Sequence, residues 1–255
     1  MRALLCALNR AWRLVMTWCC FALFGLGGLL LSLVVFNLML VMVPDSKRRS
    51  RLARRMISLS FRLFLAITKF LRLLDYRIEG KQLLRSERGC VVVANHPTLL
   101  DYVLLASVMA ETDCLVKSTL LKNPFVSGVI RAADYLVNSQ GETLLAESEA
   151  RLARGDTLLI FPEGTRTRQG ETITLQRGAA NIAVRCRSDL RIVVIRCSEQ
   201  LLTKQSKWYS VPPSKPLFTI TVQSRVSIDD FHHSETQPAT VAARELNRYL
   251  LQQLQ

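Results

Sequence analysis

Histidine is scarce in this chain. Only three of 255 residues are His, and two of them, His232 and His233, stand together in a polar stretch near the C-terminus. That leaves His96 as the one strong base candidate in the folded middle. Metal and disulfide signatures are missing as well. The seven cysteines (Cys6, Cys19, Cys20, Cys90, Cys114, Cys186 and Cys197) are odd in number and show neither a CxxC pair nor metal-ligand spacing. They read as reduced, structural thiols, small apolar fillers inside the first apolar stretch and beside predicted strands. Cys90 precedes its strand, the wrong end for a nucleophile working beside His96. No glycine-rich nucleotide loop, internal repeat or low-complexity tract occurs. Acid is in short supply too: 20 Asp and Glu face 34 Lys and Arg, a net charge of +14. Such an excess suits a nucleic-acid binder, but the aromatics, 7% of the chain, do not interleave with the basic residues, and that class is excluded.

The positive charge belongs to a membrane-proximal belt. Residues 1–75 hold 12 Lys and Arg against 2 Asp and Glu, so ten of the fourteen net charges lie there. They flank Leu14–Val43, a stretch of 30 residues without a charge, where ~20 apolar residues suffice to cross a bilayer. The stretch is too long for a signal peptide, and no small-residue cleavage pattern precedes the basic run. It predicts a membrane anchor, either a tilted single span or, because Gly25, Gly27 and Gly28 sit near its centre, a helical hairpin dipping into one leaflet. Arg2, Arg10 and Arg13 precede it; Lys47, Arg48, Arg49, Arg51, Arg54 and Arg55 follow. The richer side faces the cytoplasm, which places the remainder of the chain on the cytoplasmic face of the inner membrane. Residues 50–74 then read as an amphipathic helix. Leu52, Met56, Leu59, Leu63, Ile67, Phe70 and Leu74 recur at steps of three and four, with Arg51, Arg55, Arg62 and Lys69 on another face. That pattern suits the headgroup boundary; an ordinary helix packed on the domain is the competing arrangement.

The expected organisation is an anchor over 1–49, an interfacial helix over 50–76 and one domain over 77–255. Apolar runs at 91–94, 114–116, 135–137, 157–161, 191–197 and 217–222 predict strands. Helical patterns at 101–111, 119–133, 142–154 and 176–187 lie between them, and a last helix covers about 240–254. The alternation implies an α/β fold with a mixed, mainly parallel sheet flanked by helices. Lys204–Pro216, with three prolines, is a loop carrying Trp208 and Tyr209.

Two strand signals end in polar clusters, the arrangement by which an open α/β sheet presents chemistry at one edge. The first is Asn95-His96-Pro97-Thr98-Leu99-Leu100-Asp101, after Val91–Ala94. The second is Phe161-Pro162-Glu163-Gly164-Thr165-Arg166, after Thr157–Ile160. A histidine beside a carboxylate is the simplest general base, because the carboxylate fixes the tautomer and stabilises the imidazolium. Pro162 and Gly164 break regular structure, and Arg166 suits bidentate binding of a phosphate or carboxylate.

NHPTLLD and FPEGTR resemble the first and third blocks of the glycerolipid (lysophospholipid) acyltransferase family, over roughly residues 80–200. Lys122–Gly128 and Arg177-Gly178-Ala179-Ala180 are similar to family segments as well. The resemblance implies transfer of a fatty acyl group from a thioester, acyl-CoA or acyl carrier protein, to a lysophospholipid hydroxyl such as that of 1-acylglycerol-3-phosphate. No further cofactor and no metal is implied. By position, His96 and Asp101 would be the catalytic pair, and Glu163, Gly164, Thr165 and Arg166 would line the acceptor site. Two departures stand out. Tyr135–Ser139 ends in Asn and Ser where the family keeps an arginine, and Arg191–Ile195 lacks the family's proline. The first opens two alternatives: a non-lysophosphatidate acceptor in a specialised pathway such as polyene lipid synthesis, or an inactive membrane-anchored lipid-binding protein. An intact His96/Asp101 pair speaks against the second.

Overall fold

The computed structural model describes residues 2–138, 141–168, 170–207, 209–231 and 237–255. Ser139, Trp208, His232 and His233 lie outside them. The chain opens with α1 (Arg2–Leu30), which continues through a π-helical turn at Leu31–Val35 into α2 (Phe36–Met42). Asn37 supports this turn, its Nδ2 donating to the carbonyls of Leu33 at 2.8 Å and Ser32 at 3.4 Å. The glycines are no hinge: Gly25 and Gly28 lie inside the continuous helix, where Phe125 packs against both. No hairpin forms at the glycines; the chain first turns at Val43-Pro44-Asp45, between α2 and the next helix. Pro44 cannot continue the helix, and Asp45 caps the next one by accepting from the Lys47 amide at 3.0 Å.

That next helix, α3 (Ser46–Phe70), keeps Leu59, Leu63 and Phe70 of its apolar stripe off the domain. Ala53, Arg54, Ile57, Ser58, Leu65 and Thr68 are buried against the domain, while Leu59, Leu63 and Phe70 are 64, 62 and 85% exposed. A buried ion pair decides the side. Arg54 reaches Asp113 at 2.9 Å and also donates to the carbonyls of Ala133 (2.8 Å) and Asp134 (3.2 Å). One face of α3 is therefore packed on the domain, and its apolar stripe points outward.

The sheet has seven strands: β1 (Asp75–Glu79), β2 (Val91–Ala94), β3 (Asp113–Lys117), β4 (Leu136–Asn138), β5 (Leu158–Ile160), β6 (Leu190–Cys197) and β7 (Leu217–Val226). Their order is β1-β7-β6-β2-β5-β3-β4, parallel at every pairing except β6 with β7. The connecting helices are α4 (Lys81–Ser86), α5 (Asp101–Val108), α6 (Ser127–Ala133), α7 (Gly141–Ala153), α8 (Gly178–Arg185) and α9 (Ala239–Leu254). The helix expected over 119–133 is broken: Ser118–Lys122 is a 3-10 turn and α6 starts only after Pro124. β1 has no counterpart among the predicted strands.

Both faces of the sheet are covered, which is why the central strands read as unbroken apolar runs. Val92, Ala94 and Leu159 face one cluster with α3 and α5; Val91, Val93, Leu158 and Ile160 face the other with α8 and α9.

Candidate active site

β2 and β5 are neighbours, with Val93 paired to Ile160. Extending that register by three residues on each strand sets His96 level with Glu163, so the two polar clusters meet at the carboxyl edge of the sheet. The His96 amide donates to Glu163 Oε1 at 2.7 Å, and the Thr167 amide returns to the His96 carbonyl at 3.0 Å. Asn95 ties the other flank, exchanging side-chain bonds with the Ile195 backbone of β6 at 2.6 and 2.9 Å. His96 thus leaves its strand held on both sides.

Pro97 ends the extended chain and α5 begins at Asp101, which brings that carboxylate back under the imidazole. His96 Nδ1 lies 2.9 Å from Asp101 Oδ2. The same oxygen accepts the Thr98 amide at 2.7 Å, and Oδ1 accepts the Thr98 hydroxyl at 2.6 Å. Asp101 is fully buried. Burial pushes its pKa up, while His96 and Thr98 pull it back down. The Phe161 ring stacks on the imidazole with centroids 4.4 Å apart, blocking one ring face.

Glu163 is also buried, and burial raises its pKa against the opposing hydrogen bonds from Thr167 and the His96 amide. Its Oε2 is shielded from solvent and has no hydrogen-bond partner among the described residues. Gly164 adopts φ +65°, the left-handed conformation a tight turn after Glu163 requires, and Thr165 is exposed. The Arg166 side chain crosses to the segment after β6, where Nη1 donates to the carbonyls of Leu202 (2.8 Å) and Thr203 (3.3 Å). The Leu99 amide donates to that same Leu202 carbonyl at 3.2 Å.

The Acyltransferase family model matches residues 75–198, from the start of β1 to just past β6, and that span contains every residue named above except Leu202 and Thr203. Over this span the chain is similar to the glycerolipid acyltransferase family, which the match supports. It is similar to the 1-acyl-sn-glycerol-3-phosphate acyltransferase beta of Homo sapiens, 25% identical over 167 residues, which covers 63% of this chain and 58% of that protein. The 1-acyl-sn-glycerol-3-phosphate acyltransferase of Pseudomonas aeruginosa is 25% identical over 124 residues, 46% of this chain and 48% of the relative. The chain thus aligns with about half of these curated relatives' length. The crystal structure of the 1-acyl-sn-glycerophosphate (LPA) acyltransferase PlsC from Thermotoga maritima superposes with a TM-score of 0.65 over 99% of this chain and 98% of that one, at 20% identity, and shares the fold.

Sequence reasoning singled out His96, Asp101, Glu163 and Arg166, and the structure gathers all four at one edge. It overlooked Thr98 and Phe161, although both lie inside the two blocks. It also overlooked Leu202 and Thr203, which meet Arg166 from more than thirty residues away and carry no local signal. Ser139, where the family keeps a cation, lies outside the described residues. Its neighbour Asn138 pairs in register with Lys117 of β3. Cys114 of β3 pairs with Leu159 of β5, so Lys117, three residues on, comes level with Pro162. Cys90 is fully buried, and its thiol is raised well above the ordinary range by burial and by Glu87. No group of His, Cys, Asp and Glu able to hold a metal occurs among the described residues.

Proposed function

We propose that this protein is a membrane-bound O-acyltransferase that moves a fatty acyl group from a thioester, coenzyme A or acyl carrier protein, to the hydroxyl of a lysophospholipid such as 1-acylglycerol-3-phosphate. The observation that carries this reading is the His96–Asp101 contact. With Nδ1–H directed at the carboxylate, Nε2 holds its lone pair toward solvent and acts as the base. His96 takes the acceptor hydroxyl proton as the oxygen adds to the thioester carbonyl. The tetrahedral oxyanion then collapses, the C–S bond breaks, and the imidazolium returns the proton to the departing thiol. Asp101 stays ionised and balances the imidazolium. No covalent acyl-enzyme forms.

Arg166 uses Nη1 on the Leu202 and Thr203 carbonyls, leaving Nη2 for the acceptor's phosphate. Lys117 supplies a second positive charge beside Asn138, which favours a phosphate-bearing acceptor even though the family's arginine is missing. A specialised, phosphate-free acceptor is the alternative that the Asn138-Ser139 ending supports.

The membrane is the second half of the proposal. Ala7–Met42 is long and apolar enough, by length and composition, to cross a bilayer. Yet Trp12 donates to the Leu71 carbonyl, Phe24 packs on Phe61 and Phe64, and Phe36 is buried. The helix therefore follows the domain for ~36 Å of its length, more than the roughly 30 Å of a hydrocarbon core. A helix bound to its domain that far enters one leaflet more readily than it spans both, which favours the one-leaflet arrangement over the tilted single span. The outward Leu59, Leu63 and Phe70 of α3 would join it there, with the basic start of α3 at the headgroups of the inner membrane's cytoplasmic leaflet.

The test is product analysis by mass spectrometry. Purified protein in lipid nanodiscs receives acyl-CoA or acyl carrier protein with lysophosphatidate or phosphate-free acceptors. Phosphatidate formation that His96→Ala abolishes, with folding intact, is the expected result. Turnover undiminished in His96→Ala, or no transfer to any lysophospholipid from either donor, would overturn the reading.

A further inference from the structure

Arg13 is the odd residue of the anchor. It abuts an uncharged run, yet its guanidinium is buried, 4% exposed, and donates to the carbonyls of Ser214 (2.8 Å) and Pro213 (3.3 Å). Burying a cation is costly unless it is hydrogen-bonded, so these two carbonyls fix α1 against the loop between β6 and β7. The base of that loop is closed: the Ser198 amide donates to the Leu217 carbonyl at 3.0 Å, the Leu217 amide to Ser198 Oγ at 2.9 Å, and Ser214 Oγ meets Glu199. These bonds hold the two ends of the connection together. Its outgoing limb carries Leu202 at φ +51°, a conformation a leucine adopts only when its surroundings impose it. The Leu202 carbonyl so presented accepts from both Arg166 and Leu99, one residue from each side of the candidate site. The returning limb meets α1 again where Tyr209 stacks on Trp18, centroids 6.4 Å apart.

We propose that this loop bridles the anchor to the acceptor site, and that Arg13 is a positioning residue for Arg166. α1 holds the returning limb, the closed base transmits that hold, and the outgoing limb sets where the Arg166 guanidinium stands. The inference rests on the proposed acyl transfer to a lysophosphatidate, and it adds that acceptor affinity is set partly by a residue in the membrane helix. Seating α1 in lipid would then bias the site toward phosphate binding. Coupling through one element held at two points requires no contact between Arg13 and substrate.

The test uses the full chain in nanodiscs and three variants. Arg13→Met keeps the helix apolar, Arg13→Lys can still reach one carbonyl, and Arg166→Ala supplies the second arm of a double-mutant cycle. Arg13→Met is expected to raise the KM for lysophosphatidate by about five- to tenfold, the lower end of ordinary coupling, with kcat within about twofold. Arg13→Lys should recover much of that loss. In the Arg166→Ala background Arg13→Met should change KM no further, because the group it positions is gone. Amide exchange by mass spectrometry is read without turnover, and Leu99, bonded to the Leu202 carbonyl, should exchange faster in Arg13→Met. Equal KM effects of Arg13→Met in both backgrounds, or unchanged exchange at Leu99, would overturn the bridle. Failure of the parent to acylate lysophosphatidate would overturn the proposed acceptor instead, and the exchange measurement would still decide the bridle.

Discussion

Replacing Asp101 by Asn separates two jobs that a carboxylate performs beside a histidine. It fixes which ring nitrogen carries the proton, and it supplies a negative charge to the imidazolium. In a serine-protease triad the same change leaves the wrong tautomer and costs roughly 10⁴-fold. The surroundings of Asp101 predict a milder outcome. Oδ2 accepts the Thr98 amide at 2.7 Å as well as His96 Nδ1, and an amide can only donate. An asparagine placed with its NH₂ at that position would face an N–H it cannot accept, so its oxygen must take the Oδ2 place. Nδ2 then sits where Oδ1 was and donates to the Thr98 hydroxyl, which has a second lone pair beyond the one used for the Leu100 amide. The tautomer survives and only the charge is lost. A hydrogen bond to a charged group is worth about 1.5–3 kcal/mol, which at 1.36 kcal/mol per decade becomes a fall in kcat of about 10- to 150-fold. Steady-state kcat with both substrates saturating, measured beside His96→Ala, gives the number. A loss near 10⁴-fold would mean that the Thr98 amide does not dictate the asparagine's orientation; a loss under about threefold would mean that Asp101 contributes no charge stabilisation.

Three further outcomes follow from packing and titration. A Cβ on Gly128 of α6 would stand 2.8 Å from Ser32 Cβ in the π-helical turn, so Gly128→Ala should lower thermal stability by about 1–3 kcal/mol, and Ser32→Gly should restore much of it; a neutral Gly128→Ala would show that this helix contact is loose. Glu163 has a folded pKa above its usual 4.5, so the folded state holds the extra proton and this group's stabilisation is lost as pH rises above 4.5. Glu163→Gln should therefore gain in Tm relative to the parent between pH 5 and 8, and a constant difference would contradict the raised value. Asp75, held down to about 2 by Lys69 and Lys215, contributes a small stability that is present above pH 3.8 and lost toward pH 2; Asp75→Asn should flatten that acid limb in melting curves.

The sequence was most legible where one physical signal ruled. Buried parallel strands such as Val91–Ala94 and Leu158–Ile160 have no solvent face, so their apolar runs stood out, and the polar clusters at their ends announced the site. β1 was hidden because Asp75, Arg77 and Glu79 place charge at every second residue of a five-residue strand. On α3 periodicity found an apolar stripe but could not tell protein from lipid as its destination; Arg54, one of many arginines in the sequence, settled that through Asp113. Arg166 could be singled out from its block, whereas its partners are backbone carbonyls, which no side-chain pattern reveals.

The Asp113 ion cluster bears on how this protein can be handled in water. Asp113 is fully buried and is held by Arg54 from α3 and Arg151 from α7. Cutting the chain before β1 to obtain a detergent-free domain would delete Arg54 and leave the carboxylate short of a guanidinium. Removing one partner of a buried pair costs about 3–5 kcal/mol, a large share of the roughly 5–15 kcal/mol that keeps a domain folded. Such a fragment would be expected in the insoluble fraction for want of stability, whatever its surface. Repainting the outer side of α3, with Leu59, Leu63 and Phe70 changed to polar residues, keeps Arg54 in place and is the sounder way to reduce its demand for detergent.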